Sequence, residues 1–306
     1  MTPTAFQRVV LVGRYQSDKS ADNVEAIASF LNQRGHDVLI EADTARVLTA
    51  SNHQTVAISE IEDQVDLAIV IGGDGTMLGV ARQLAGRGVP LVGINQGRLG
   101  FITDIPLNEW HDALDAVLKG QFIAEHRTML NAQAMRKGQV IWQDVAMNDV
   151  VINRSSRSGM IELEVHVDET YMYTQRADGL IVATPTGSTA YALSANGPIL
   201  HPRLAGLVMV PVAPQSLSNR PICLPDDVNV RIRVVEGREP RVSCDMQVFE
   251  DLHPGDDILV ARSSLTVEFL HPAGYSYFST LRSKLSWHEF PVFSEPAQSG
   301  PSVPKP

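Results

Sequence analysis

Ile69-Val70-Ile71-Gly72-Gly73-Asp74-Gly75-Thr76 decides how this chain is read. A run of apolar, mostly β-branched residues stops at two glycines, an aspartate, a third glycine and a threonine able to open a helix. The reading is a buried strand that delivers one carboxylate, Asp74, into a loop with almost no side chains around it. Bare backbone N–H groups approach anionic oxygens closely, so such a loop suits a phosphate chain. It is not a P-loop, because no Gly-Lys-Ser/Thr ending follows. Nor is Gly73-x-Gly75-x-x-x-Gly79 the glycine fingerprint of a dinucleotide-binding turn. The plainer alternative is a tight turn whose aspartate only bonds nearby backbone.

Outward from this loop, strands and helices alternate. Arg8–Gly13, Val38–Ile40, Asp66–Ile71 and Val89–Ile94 read as strands. Asp22–Arg34 places Val24, Ile27, Ala28 and Leu31 at helical spacing, with Ser20 or Asp22 as cap and Gly35 as stop. Thr76–Ala85 and Leu107–Leu118 read as further helices. This alternation implies βαβ units and a parallel sheet, with ligands beyond the carboxyl ends of its strands. Near residue 120 the pattern changes. Met129–Met135, Val140–Val145, Val150–Ile152, Ile161–Val167, Leu180–Ala183, Leu207–Val212, Val228–Val235 and Asp257–Phe269 look like short strands, and Ile161–Val167 alternates as a half-buried strand should. The expected fold class is a Rossmann-like α/β N-terminal domain (1–124) with a parallel sheet, then a β-rich, sandwich-like domain (125–270). The Pro- and Ser-rich end, 293–306, is expected to be a disordered tail.

Composition narrows the function. The chain has 306 residues, 44% of them hydrophobic, which fits one large globular domain or two ordinary ones. A formal net charge of −10 argues against general nucleic-acid binding, though not against a nucleotide. Met1–Arg8 lacks a signal-peptide pattern, and apolar runs such as Leu67–Ile71 are too short to span a bilayer, so a cytoplasmic protein without membrane attachment is expected. Cys223 and Cys244 read as two ordinary reduced thiols in or near the core, and nine scattered histidines show no metal-ligand spacing, so no metal is assigned to the protein itself.

Three further segments carry possible chemistry. Asn95-Gln96-Gly97-Arg98-Leu99-Gly100-Phe101 sets Arg98 between glycines at a strand end, either as a phosphate counter-charge or as a solvated loop cation. Phe101 is either a base-stacking ring or a core aromatic. Asn148-Asp149 offers an amide beside a carboxylate, which is a turn by default but is able to read sugar hydroxyls. Arg176–Pro198 contains a strand followed by Thr184-Pro185-Thr186-Gly187-Ser188-Thr189. This hydroxyl-rich turn is expected to open a helix at Thr189 or Ala190, with phosphate again as the natural guest.

Taken in order, Gly-Gly-Asp-Gly-Thr, Asn-Gln-Gly-Arg-Leu-Gly-Phe, Asn-Asp-Val and Asp178-Gly-Leu-Ile-Val-Ala-Thr-Pro-Thr-Gly-Ser-Thr-Ala-Tyr191 resemble the NAD kinases over roughly residues 8–290. Ser243–Gln247 and His271–Phe278 are similar to later segments of that family. The resemblance implies transfer of the γ-phosphoryl group of ATP to the adenosine-ribose 2′-hydroxyl of NAD, with Mg²⁺ on the triphosphate and Asp74 as general base. It implies that Gly72, Gly73 and Gly75 present N–H groups to phosphate, with Thr76 and Arg98 beside them. It implies an NAD site containing Asp74, Gly75, Phe101, Asn148, Asp149, Arg176, Asp178, Thr189, Ala190, Tyr191, Ser194 and Gln247. Residues 271–292 would return to the first domain, and the resemblance implies a homodimer or homotetramer in which Gln247 would complete the site, from its own or a neighbouring subunit. Three positions depart from the family pattern. Asp149 stands where glutamate is frequent, Asn196 where glycine is usual, and Gly159 where a basic or imidazole side chain often contacts ligand, with Arg157 as a possible substitute. A lipid kinase of the diacylglycerol type and a catalytically silent NAD(H) sensor are the competing readings.

Overall fold

The computed structural model describes residues 6–13, 18–46, 48, 53–61, 64–97, 100–155 and 159–287. Arg98, Arg157 and the expected tail from 293 lie outside the described residues.

The first half contains β1 (Arg8–Gly13), α1 (Asp18–Gln33), β2 (Asp37–Glu41), the one-turn α2 (Ala42–Ala45), β3 (Gln54–Val56), β4 (Leu67–Gly72), α3 (Asp74–Leu84), β5 (Leu91–Asn95), the two-residue β6 (Ile105–Pro106) and α4 (Trp110–Leu118). The larger strands are parallel, in the order β3-β2-β1-β4-β5. The direction of growth reverses between β1 and β4, and the turn after β4 opens beside that reversal, where doubly wound sheets bind ligands. Every residue of β4 is buried. Leu67, Ile69 and Ile71 pack with Val24, Ile27 and Leu31 of α1 and Leu114 and Val117 of α4. Ala68 and Val70 pack on the other face with Met77, Val80, Ala81 and Leu84 of α3. Covering both faces is why β4 reads as an unbroken apolar run. Helix α1 starts at Asp18, ahead of the expected Asp22, so Asp22 is an interior residue and not the cap. Gly35 ends the run in a left-handed conformation, φ 84°.

The second half contains β7 (Phe122–Arg136), β8 (Gln139–Ala146), β9 (Asp149–Arg154), β10 (Ile161–Val167), β11 (Thr170–Ala177), β12 (Gly179–Ala183), the one-turn α5 (Tyr191–Ser194), β13 (Gly206–Val212), β14 (Ile222–Pro225), β15 (Val230–Glu236), β16 (Pro240–Cys244), β17 (Val248–Asp251), β18 (Asp257–Pro272) and α6 (Tyr277–Leu285). Six of these strands form one sheet, β14-β13-β12-β9-β16-β17. Facing it, β7, β10, β15 and β18 contribute Leu130, Leu163, Ile232 and Ile258 to a core shared with Val150, Leu180, Met209 and Val242. The β-rich half is thus a sandwich, as expected.

The two halves share a sheet. The facing strands of the sandwich belong to the same twelve-stranded sheet as β1–β6. Strand β18 pairs through Asp257–Arg262 with Leu130–Met135 of β7, slips, and continues through Thr266–Pro272 against Phe122–Thr128. Its far end also lies parallel to β5, at Phe269 against Leu91. Strand β7 therefore begins seven residues before the expected Met129, because its charged stretch Glu125–Arg127 pairs into the ladder instead of forming a loop. Cys244 is buried, but Cys223 is exposed on β14 and not near the core; both are free. No helix among the described residues is long and apolar enough to cross a membrane.

Candidate active site

Helix α3 opens at Asp74, not at the expected Thr76. Gly73 is its cap in an extended conformation (φ −107°, ψ −177°), and a carboxylate in the first turn sits well against the helix dipole. The Asp74 carboxylate is held from across the sheet by the loop after β5. Its Oδ2 accepts the Phe101 N–H at 2.8 Å. Its Oδ1 accepts the Thr103 hydroxyl at 2.8 Å and the N–H groups of Thr103 and Ile102 at 3.2 and 3.3 Å. The Asn95 side chain donates to the Thr103 hydroxyl at 2.8 Å, locking that rotor. Gly100 is obligatory here, since a Cβ would collide with Asp74 Oδ1 and Thr103 Oγ1.

The glycines around Asp74 divide into two kinds. Gly72 is a buried strand residue, and a Cβ there would lie 2.7 Å from Thr76 Oγ1, so the protein's own packing requires it. A Cβ at Gly73 or Gly75 would meet nothing within 4 Å. Both line a cavity of about 510 Å³ with Thr76, Gly79, Val80, Gln83 and Gln247. At a helix start, the N–H groups of Asp74 and Gly75 have no intrahelical acceptor.

Gln247 comes from the turn between β16 and β17, where Asp245 and Met246 both adopt left-handed backbone (φ 53° each). Its side-chain amide donates to the Gly75 carbonyl at 2.9 Å within the same chain. The same turn aims Asp245 at the start of β9. The Asp245 carboxylate accepts the N–H groups of Met147, Asn148 and Asp149 at 3.0, 2.7 and 3.1 Å. Asp149 itself is only 2% exposed. Burial, and then the neighbouring Asp245 carboxylate, push its pKa up to about 7. Asp245 is also raised by burial, against the pull of its three N–H donors and Arg82.

The Asn148 carbonyl accepts the Thr184 N–H at 2.9 Å, and the Thr184 hydroxyl donates to the Met147 carbonyl at 2.6 Å. Gly187 packs so closely on Asn148 that a Cβ would strike the Asn148 carbonyl. The turn does not open a long helix at Thr189 or Ala190. It makes one 3₁₀ turn, Gly187–Thr189, and then the four-residue α5. Its hydroxyls are already engaged. Ser188 Oγ donates to the Pro185 carbonyl at 2.6 Å and accepts the Leu200 N–H at 2.9 Å, Thr189 donates to the Thr186 carbonyl at 3.1 Å, and Thr186 accepts from Arg127 at 3.1 Å. Thr189, Ala190 and Tyr191 are half-buried, and Ser194 is exposed.

The remaining expected residues are placed less centrally. Phe101 is half-buried, with Lys284 of α6 5.4 Å above its ring. Asp178 accepts from Arg154 Nε at 3.0 Å at the junction of β11 and β12. Arg176 is exposed, 3.7 Å from Glu162, and lines a separate cavity of about 340 Å³ with Gly159, Met160, Glu236, Gly237 and Arg238. Asn196 stands at φ 65°, a conformation asparagine tolerates nearly as glycine does, which accounts for its place in the motif. Sequence reading missed Asn95, Thr103 and Asp245 as site residues, although the segments holding Asn95 and Asp245 were in view.

A fixed carboxylate beside an open cavity, at the seam of a doubly wound sheet and a β-sandwich, suits a phosphotransferase of the kinase class. Comparison with known proteins specifies which kind. Residues 9–122 match the model of the ATP-NAD kinase N-terminal domain and residues 147–271 that of the ATP-NAD kinase C-terminal domain. The chain is 54% identical over 290 residues to the NAD kinase of Paraburkholderia phytofirmans, covering 95% of this chain and 97% of that one. It is 53% identical over 287 residues to the NAD kinase of Ralstonia nicotianae, covering 94% and 95%. Among solved structures, an NAD kinase from Archaeoglobus fulgidus in complex with ATP superposes with a TM-score of 0.72 at 25% identity, covering 91% of this chain and 98% of that one. Yeast NADH kinase complexed with NADH shares the fold, with a TM-score of 0.83 at 23% identity over 96% of this chain and 91% of that one. The chain belongs to the NAD kinase family.

Proposed function

We propose that this enzyme transfers the γ-phosphoryl group of ATP to the 2′-hydroxyl of the adenosine ribose of NAD, with Asp74 as general base. The observation that carries the reading is the Asp74 carboxylate. It is pinned by four donors from residues 101–103, yet lies beside two glycines whose Cβ positions face open cavity. Its Oδ2 takes one donor where Oδ1 takes three, so Oδ2 keeps acceptor capacity for a sugar hydroxyl. As the ribose oxygen attacks the γ-phosphorus, its proton passes to Asp74 and ADP leaves. The Asp74 and Gly75 N–H groups are suited to phosphate oxygens, with Gly73 and Thr76 at the rim. The relatives named NAD kinase support NAD as acceptor, and the ATP complex of the archaeal relative supports ATP as donor.

We assign NAD to Asn148, Asp149, Thr189, Ala190, Tyr191 and Ser194, an assignment supported by the close packing of the Gly187 turn, which leads into α5, on Asn148. Among the described residues no group of three or more His, Cys, Asp or Glu side chains is arranged to hold a metal. This donor set fits Mg²⁺ carried mainly by triphosphate and water, where it would offset phosphate charge. The test is purified protein with ATP, Mg²⁺ and NAD, scored for NADP. Asp74→Asn should keep the fold and NAD binding, the latter by calorimetry, and lose roughly 10²–10⁴-fold in kcat. Near-full activity in that variant would remove Asp74 from the chemistry.

A further inference from the structure

Behind the site lies a set of charges that the reaction described above does not use. Arg127 of β7 is 2% exposed and is among the largest fully buried side chains. One arm of its guanidinium donates to Glu125 at 2.8 Å and the other to the Thr186 hydroxyl at 3.1 Å, while its Nε has no partner. Glu125 also meets His271 Nε2 at 3.2 Å, and His271 Nδ1 meets Asp104 at 2.9 Å. The His271 ring is 1% exposed and lies stacked on Tyr275, with centroids 3.9 Å apart and 9° between planes. Both ring nitrogens face carboxylate oxygens, so both contacts are hydrogen bonds only when the ring carries two protons. In that state two cations balance two carboxylates, as buried charges require.

The two ends of this row matter most. Asp104 follows Thr103, whose N–H and hydroxyl hold the Asp74 carboxylate. Thr186 lies in the turn whose other side packs on Asn148. We infer that Asp104, His271, Glu125 and Arg127 form a buried, charge-balanced strut that sets the distance between the Asp74 cradle and the Thr186 turn. This makes His271 and Arg127 positioning residues for a reaction neither of them touches. The inference rests on the function proposed above only for what the two ends hold.

The protonation state follows the same geometry. Burial lowers the His271 pKa, but its bonds to Asp104 and Glu125 outweigh that and raise it overall. Burial likewise opposes ionisation of Glu125, and His271 and Arg127 overcome it. The groups facing His271 are Asp104 from the loop before β6, Glu125 and Arg127 from β7, and Tyr275 from the turn after β18. Glu109, which caps α4, and Asp112 within it line a cavity together with Asp104 and Tyr275, and Tyr277 of α6 feels the charges of Arg127 and Glu125. A histidine raised in the fold contributes fully below its unfolded value and loses that contribution as pH passes the folded one. The strut therefore weakens on the alkaline side.

The experiment is a double-mutant cycle of Asp104→Asn and Thr186→Val, one at each end of the strut. It is read in NAD binding by calorimetry without ATP, and separately in kcat and KM. The expected result is coupling: the double variant departs from the product of the single effects by threefold or more. Effects that multiply within about 1.5-fold would overturn the strut. The isosteric Glu125→Gln with Thr186→Val gives a second cycle if Asp104→Asn does not fold. Direct titration of the His271 ring by NMR should show it protonated at neutral pH. A neutral ring there would overturn the charge-balanced form, and an alkaline fall in NAD affinity that persists unchanged in His271→Gln would overturn its positioning role. If the unmodified enzyme makes no NADP, the function fails, while the binding cycle and the NMR titration still decide the strut.

Discussion

Two turns in this molecule look alike as sequence. Gly72–Thr76 and Thr184–Thr189 each follow a buried strand, each is built of small residues, and each invites phosphate. In the structure they do opposite things. At Gly73 and Gly75 the space a side chain would fill is empty, and Asp74 is held by a different loop. In the second turn Thr184, Ser188 and Thr189 spend their hydroxyls on backbone within or beside the turn, and Gly187 is pressed against Asn148. One turn is small to admit something; the other is small to fit itself. Polar atoms in a motif do not measure what a site has to offer, because neighbours invisible in the motif have already claimed them.

The largest expected effect tests the packed turn. Gly187→Ala forces a Cβ into the Asn148 carbonyl and should cost about 3 kcal/mol or more of stability, seen as a lowered melting temperature. If it melts as the parent does, the turn is not packed as described. Ser188→Ala strands the Leu200 N–H in a buried position and should cost ~1–3 kcal/mol by denaturant unfolding, while NAD affinity stays close to the parent value.

The contrast that depends on pH lies between the turns, at Asp149. Its carboxyl moves from 3.8 to about 7 on folding, so the folded chain keeps a proton that the unfolded chain has released. Stability should therefore fall as pH rises from about 4 to about 7. Asp149→Asn should flatten that slope, Asp245 keeping a share of it, and melt several degrees above the parent near pH 8, with little difference near pH 4, by scanning calorimetry. The smallest stability change belongs to the open turn. Gly75→Ala should leave the melting temperature within ~1 kcal/mol equivalent of the parent, or raise it. It should nevertheless raise KM for ATP, and unchanged KM would mean the open space at Gly75 serves no phosphate.

These comparisons also show where the sequence was readable. The β4 run, the Asp74 loop and the alternating strand at Ile161–Val167 were legible, because burial on two faces or one leaves a direct periodic trace. Helix α3 was placed two residues late, because an extended Gly73 as cap has no side-chain signature. The Asp245 carboxylate that organises Met147–Asp149 was not legible, since it lies far along the chain and arrives only through the pairing of β9 with β16. Glu125, His126 and Arg127 hid the first half of β7. Three adjacent charged or polar residues read as solvent-facing chain, and only the partners of Glu125 and Arg127 show why two of them are tolerated near the core.

Strand β18 has a consequence for how the enzyme is made. Its far end lies beside β5, with Phe269 opposite Leu91, so part of one edge of the N-terminal sheet is closed by a segment synthesised long after β5 itself. Along much of that edge only the two-residue β6 is available earlier, and it pairs with Ile94 and Asn95 alone. Until residues 266–272 leave the ribosome, β5 presents open backbone of the kind that pairs with other chains. The first half is thus complete as sequence long before it is complete as structure. Such sequence-distant pairing slows folding, and it ties final closure of the α/β half to residues 266–272.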